Sequence, residues 1–400
     1  MPSYRSLFRT PEFTPLFLAS SAQTAAQTMG GLALGTLVYR ATGSPLLSAL
    51  SMFGPSLAQV LGATFLLSGS DRLPPRTALS AIAAVFAAGT AFQAVPGLPP
   101  GVLLGAVFLL GLVAALGGGV RWGLVNEILT RDGYLQGRSL FNIMSGLTQT
   151  AGYATGGALL TAVSPRTCLL LAAALYLTAA LLLRTGLTAR PPRATGRPSV
   201  AATWHTNAVL WSSRPRRLTY LGLWVPNGLV VGCESLYVSY APDAAGTLFA
   251  CAAVGMLVGD VTVGRLLPAP VRARLATPLL LLLAVPYLAF AARPPLPVAL
   301  LCVTLASVGF GASLVQQERL MSLTPGDLSG HALGLHSAGM LTMQGVSAGL
   351  AGALAQLTSP ATGMTVMAGA SVAVTAGLAL AGRTDGAGAR NTPARLDADV

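Results

Sequence analysis

Residues 223–241 read LWVPNGLVVGCESLYVSYA, an apolar run whose one charged residue is Glu234. At 1.5 Å per residue a helix of this length reaches roughly 28 Å, close to the hydrocarbon thickness of a bilayer. An ionised carboxylate at the centre of such a span costs about 2.5–3.5 kcal/mol or more. A chain that carries one there needs a partner, a wet cavity or a proton to neutralise it. The chemistry of this protein is therefore expected inside a membrane.

The rest of the chain agrees. Only 9% of its 400 residues are charged and 53% are hydrophobic, with a mean hydropathy of +0.67. Soluble domains carry about 25% charged residues. The net charge of +12 comes from arginines scattered between apolar runs, which does not make a nucleic-acid-binding face. Cys168, Cys233, Cys251 and Cys302 sit in apolar segments without ligand spacing, so they read as small buried hydrophobes. The opening MPSYRSLFRTPEF runs into a long apolar stretch with no short signal core and cleavage site, so the first span is expected to be retained as an anchor.

Twelve apolar segments follow one another, at about 14–39, 45–69, 77–95, 101–126, 139–163, 167–187, 218–241, 245–267, 276–292, 297–317, 331–357 and 361–381. Each is long enough for a tilted spanning helix and too uniformly apolar for a barrel strand. The fold class predicted is an all-α membrane protein of twelve transmembrane helices. With both termini cytoplasmic, the outer loops hold Arg40, Arg166, Arg293 and Asp243. The inner loops hold Arg72, Arg76, Arg131, Arg138, Arg265, Arg272, Arg274 and Arg319, and the central segment adds seven more arginines from Arg184 to Arg217. That is the positive-inside pattern of a cell (inner) membrane protein.

Four regions follow: a six-helix half at 1–187, a basic cytoplasmic linker at 188–217, a second six-helix half at 218–382, and a flexible cytoplasmic tail at 383–400. Within the linker, ATWHTNAVLW reads equally as a short surface helix or as a plain tether. The halves echo each other. At an offset of 195, Gln149, Gly157, Ala158, Leu159, Ser164 and Pro165 meet Gln344, Gly352, Ala353, Leu354, Ser359 and Pro360. At 193, Gly62, Arg72, Leu73 and Pro75 meet Gly255, Arg265, Leu266 and Pro268. A duplicated six-span unit is a device of transporters.

This organisation, with an acid–arginine motif between spans two and three, resembles the major facilitator superfamily over nearly the whole chain. The family pattern Gly-x-x-x-Asp-Arg-x-Gly-Arg/Lys-Arg/Lys meets LSGSDRLPPR here. Asp71 and Arg72 match and Arg76 matches approximately, while Leu67 and Pro74 stand at glycine positions. The related copy, GDVTVGR, keeps Arg265 and moves the acid to Asp260. The resemblance implies that Asp71, Arg72, Arg76, Asp260 and Arg265 form a cytoplasmic gate. A second family pattern, Gly-Pro-x-x-Gly-Gly of exporters, meets GYATGG at 152–157, with Tyr153 in place of proline. The opening LFRTPEFTPLFLAS and the tract YRATGSPLLSA look similar to drug- and siderophore-exporting branches.

In that family the first, fourth, seventh and tenth helices line a central cavity. Glu234 lies in the seventh, 17 residues past Arg217, roughly 25 Å from the inner end. It is the proton-coupling candidate, and a carboxyl that only fixes helix packing is the competing reading. Asn227 shares its face one heptad earlier. Arg121, after three glycines in span four, is either a cavity cation or an interfacial arginine reaching for the cytoplasm. Gln23 and Gln27 lie one turn apart in span one. Asn142, Ser145 and Gln149 share a face of span five, as His336, Met340 and Gln344 do in span eleven. These polar groups line a cavity or hold helices together, and His336 is either a proton relay or a structural histidine. Gln316 and Gln317, ahead of Glu318 and Arg319, are expected at the inner end of span ten.

The chain has no lysine, hence no phosphate-binding loop of the Gly-Lys-Ser/Thr type, and no His-Glu-x-x-His or Gly-x-Ser-x-Gly motif. The expectation is a non-enzymatic, monomeric secondary transporter without cofactor, drawing on the proton gradient and working by alternating access. The favoured cargo is a small amphipathic compound moved outward. An importer or facilitator of a small metabolite, and a non-transporting sensor or assembly partner of the same fold, are the other readings. The partners expected are the substrate and the lipid bilayer, with no nucleic acid.

Overall fold

The computed structural model describes residues 7–70, 74–129, 131–192 and 200–390, and each apolar segment in them is helical, with no strand among the described residues. The first half consists of α1 (Phe13–Thr42), α2 (Pro45–Ser70), α3 (Pro75–Gln93), α4 (Pro100–Ile128), α5 (Arg131–Ala162) and α6 (Pro165–Gly186). A linker helix, Val200–Ser212, leads to the second half. There α7 runs over Arg214–Glu234 and resumes at Tyr237–Tyr240, and α8 (Ala245–Val261) ends in a π turn, Thr262–Leu266. Helix α9 (Ala269–Ala284) continues as a 3₁₀ segment, Val285–Ala292. Helix α10 joins Leu296–Val308 to Ala312–Ser322 through a 3₁₀ turn at Gly309–Gly311, and α11 (Ser329–Leu357) and α12 (Pro360–Arg390) complete the chain.

Local chemistry explains the boundaries. Five helices open on proline (Pro45, Pro75, Pro100, Pro165 and Pro360), where the missing N–H has no intrahelical partner to lose. Helix α1 stops at Gly43, whose φ of 64° lets its N–H turn back to the Tyr39 carbonyl. Ser164 caps α6 by accepting from the Thr167 N–H at 3.1 Å, and Ser359 caps α12 by accepting from the Thr362 N–H at 3.2 Å. The Ser-Pro pairs matched across the halves thus perform the same task.

Ten helices are both long and apolar enough to cross a membrane among the described residues. Helices α1 and α5, 30 and 32 residues long, have the length but carry more polar positions. The chain is a multi-pass membrane protein. Helix α5 begins at Arg131, about two turns before the expected 139, and α12 continues to Arg390, past the expected boundary at 382.

The packing repeats with the sequence. Within the first half α1 packs on α5 and α6, α2 on α4, and α3 on α6; within the second α7 packs on α11 and α12, α8 on α10, and α9 on α12. Gly62 brings α2 onto the Leu112 carbonyl of α4, and its counterpart Gly255 brings α8 onto the Thr304 carbonyl of α10. A Cβ at either glycine would collide with that backbone, so both positions require hydrogen there.

The halves join through two related pairs, α5 with α8 and α2 with α11. Gly157 and Gly246 bring the α5 and α8 backbones into direct contact, and Gly352 seats α11 on Leu46 of α2. At the same end Ser44 Oγ donates to Gln356 Oε1 at 2.7 Å and Tyr39 Oη donates to the Ser239 carbonyl at 3.4 Å. This end lies opposite the linker helix. The linker helix itself docks on the second half, with Trp211 stacked on Trp224 (5.6 Å, 10°) and Asn207 Oδ1 2.8 Å from His331 Nε2.

Candidate functional site

Helix α7 occupies the centre of the second half. Its span is 83% buried, against 28–44% for the other nine apolar spans, so its polar groups face protein and not lipid. Glu234 is the last residue of its first segment and is 6% exposed. Its Oε1 is enclosed without a hydrogen-bond partner. A buried carboxyl without a donor is tolerated far better neutral than ionised. The helix tightens just beyond it, with Leu236 N–H donating to the Cys233 carbonyl at 3.1 Å.

An aromatic cluster adjoins this part of α7, gathering Tyr153 from α5, Phe249 from α8 and Tyr287 from α9 into one group with Tyr237. Tyr237 and Tyr287 are fully buried and joined through their hydroxyls. Phe249 of α8 binds the group together: Tyr153 stacks on it at 4.6 Å and 14°, and Tyr237 meets it edge-on at 4.8 Å and 65°. Gln149 lies one turn before Tyr153 on α5. The aromatic cluster thus draws on one helix of the first half and three of the second.

Asn227 is buried one heptad below Glu234, its Nδ2 donating to Ser313 Oγ of α10 at 3.3 Å and its Oδ1 left without a partner. Gln316 packs against Gly222 in the same α7–α10 seam. His336 is half-buried in α11; its carbonyl accepts from Trp224 Nε1 at 3.1 Å and its Nδ1 has no partner. Gln344 and Gln23 are half-buried, and Gln27 and Gln149 are exposed to space not filled by protein. Arg121 is half-buried on α4. Asn142 lies on α5, with its side chain outside the described residues.

The expected gate is only partly in view. Asp71 and Arg72 lie outside the described residues. Arg76 donates from Nε to the Arg184 carbonyl at 2.8 Å, a contact between α3 and α6 of the same half. Asp260 and Arg265 are both exposed on the last turns of α8. The ion pairs at this end are others. Arg190 bridges Glu12 (2.7 Å) and Glu127 (3.2 Å), and Arg272 of α9 meets Glu318 of α10 at 3.1 Å.

Reading the sequence missed Tyr237 and Tyr287 altogether, and took Tyr153 only as a departure from a motif. Tyr237 carried a usable signal, three residues after the acid. Tyr287 carried none, because its approach depends on how α9 folds back.

No sequence-family model matches the chain, and no curated protein matches it in sequence. Its fold, however, matches solved structures end to end. A point mutant of the nucleoside transporter NupG aligns at a TM-score of 0.73 with 13% identity, over 92% of this chain and 99% of that one. The fold is that of the major facilitator transporters. A POT family transporter in complex with a thioalcohol-conjugated peptide aligns at 0.70 with 12% identity, over 93% and 96%. A bacterial homolog of the human lysosomal transporter Spinster, inward-facing and unoccupied, aligns at 0.69 with 14% identity, over 95% and 96%. Arg121 stands on α4, and Asn227 and Glu234 stand on α7.

Proposed function

We propose that this protein is a proton-coupled secondary transporter of the cell membrane that exports a small amphipathic compound by alternating access. One observation carries the reading: Glu234, a buried carboxyl in the central α7 whose Oε1 is enclosed without a hydrogen-bond partner. Such a group is poised to take up a proton and give it back as its surroundings change from dry to wet. Glu234 is then the proton carrier, with Asn227, Gln23, Gln27 and Arg121 along the cargo path and Gln149, Gln344 and His336 at its margins. The scarcity of charge in the spans favours an amphipathic cargo over a highly charged one.

Energy comes from the proton gradient, with no cofactor, and the transporter works as a monomer in the bilayer. With both termini cytoplasmic, as the arginine distribution favours, the end at which α5 meets α8 and α2 meets α11 is the outer end. The present state is then closed to the outside. Asp71, Arg72, Arg76, Asp260 and Arg265 act at the inner face in the opposite state.

The test is proton movement in inverted membrane vesicles, read with a pH-sensitive dye on addition of a panel of amphipathic compounds. Compound-dependent proton release in the wild type, lost in Glu234→Gln at matched expression, is the expected outcome. Equal release by the two proteins would remove Glu234 from the coupling step.

A further inference from the structure

Positive charge is concentrated where the linker helix meets α7. The first turn of α7 reads Arg214-Pro215-Arg216-Arg217, with no acidic residue in it, and its N-cap Ser213 makes no side-chain cap bond. A helix N-terminus carries about half a positive charge of its own and favours an anion, so three guanidinium groups there oppose the dipole. Arg216 is the group that calls for a ligand. It is only 9% exposed, its Nε is enclosed without a hydrogen-bond partner, and its Nη2 donates to the Val209 carbonyl of the linker helix at 3.0 Å. Among the described residues no carboxylate pairs with it. A guanidinium has five N–H donors, and burying its charge against one carbonyl is costly unless an anion completes the set.

The surroundings select the anion. The apolar run of α7 begins at residue 218, so Arg216 stands at the boundary of the bilayer. The linker helix is held at that level by Trp211 stacked on Trp224 and by Asn207 against His331. Trp204, seven residues before Trp211 and so on the same face, is 62% exposed. An exposed indole beside a membrane span settles among lipid headgroups. A ligand that meets both Arg216 and Trp204 is anionic at one end and apolar at the other. Free phosphate would use the arginine and leave the indole in water.

We propose that this junction binds the phosphate of an anionic phospholipid, with Arg216 as the central donor, Arg217 adding charge and Trp204 lying against the upper part of the lipid. A guanidinium fork suits two phosphate oxygens, and the N-terminus of α7 favours the same charge at the same place. In the orientation favoured above, the linker end faces the inner leaflet, where juxtamembrane arginines meet anionic lipid. Because Arg216 already holds the Val209 carbonyl, a lipid bound to it fastens the linker helix to the second half. The site is separate from Asn227 and Glu234, which lie further along α7, and it does not depend on what the protein carries.

The experiment needs no known cargo. The full-length protein is placed in phosphatidylcholine nanodiscs with a rising fraction of dibrominated phosphatidylglycerol, whose bromines quench tryptophan fluorescence. In wild type the quenching should saturate at a low fraction, whereas dibrominated phosphatidylcholine should give only a gradual loss. Trp204→Phe should remove most of the saturable part. Arg216→Gln should raise the half-saturating fraction by about tenfold or more, the scale of a hydrogen bond between charged groups. Arg293→Gln, at an exposed arginine of the opposite end, should leave it within about twofold. If Arg216→Gln fails to fold, as read from its thermal midpoint, Arg216→Lys keeps the charge, loses the fork and should still raise the fraction about threefold. Equal saturation in wild type and the Arg216 variants, or equal quenching by the two lipids, would overturn the site. Release of the quenching by inorganic phosphate at constant ionic strength would overturn the lipid as its ligand.

Discussion

The two ends of the bundle are held by different physics. At the end opposite the linker, the halves meet across the molecule through glycine, small side chains and stacked rings: Gly157 on Gly246, Gly352 on Leu46, Tyr153 on Phe249. At the linker end, no described ion pair crosses between the halves: Arg190, where the linker leaves α6, holds Glu12 and Glu127 of the first half, and Arg272 meets Glu318 in the second. Close apolar contact is strong only while the surfaces fit, so it makes and breaks as a unit. Charge pairs of this kind tie helices to one another without crossing the joint. The contrast suits two rigid bodies that rock about a central site.

The contrast between the two ends is under greatest strain at the acid beside the joint. Glu234→Gln removes the group that can change charge and should abolish compound-dependent proton release in inverted vesicles. Binding of the same compounds, followed by fluorescence quenching, should survive within a fewfold.

Next is the joint itself. At Gly246 any Cβ falls on the Gly157 backbone, so Gly246→Ala must push α5 and α8 apart. Overpacking of this kind costs about 2 kcal/mol, roughly a thirtyfold loss in the ratio of closed to open outer ends. A thiol reagent acting on a cysteine placed at Ala158 should react correspondingly faster. A reaction rate equal to that of wild type would mean the crossing does not hold the outer end.

The linker end should respond more mildly, and through stability. Arg190 is bidentate to Glu12 and also reaches Glu127. Arg190→Gln should lower the thermal midpoint of the detergent-solubilised protein by a few degrees, for a loss of about 1–2 kcal/mol. An unchanged midpoint would show that the charge knot does not hold the first half together.

The smallest effect is expected at Arg272, whose partner Glu318 is 57% exposed. Arg272→Gln should change stability by less than about 1 kcal/mol and leave vesicle activity within twofold. A larger effect would make this pair part of the inner gate.

Much of the fold is legible in the amino-acid sequence. The helices are readable because each must satisfy its own backbone within hydrocarbon, so a long apolar run leaves no alternative. The duplication is readable in Ser164-Pro165 and Ser359-Pro360, because capping is a local matter of one hydroxyl and one N–H. Glu234 stands out for the same reason: the cost of a carboxyl in an apolar run depends on little beyond its neighbours in sequence. Asp71 and Arg72 are equally legible as a motif and remain an expectation.

What lies beyond the sequence is every relation between distant helices. That Tyr153 of α5 and Tyr287 of α9 join one aromatic cluster beside α7 depends on the crossing of α5 over α8 and on the 3₁₀ turn that ends α9. That Arg190 chooses Glu12 and Glu127 depends on where the linker leaves α6. Residue order alone is enough to say that the chain spans a membrane many times, in two related halves, with one acid inside. Which end of the halves is joined, and which side chains surround that acid, follow from the packing of the folded chain. Spanning is set by local transfer of side chains and backbone from water to lipid, whereas helix contacts are set by shape complementarity between residues up to hundreds of positions apart.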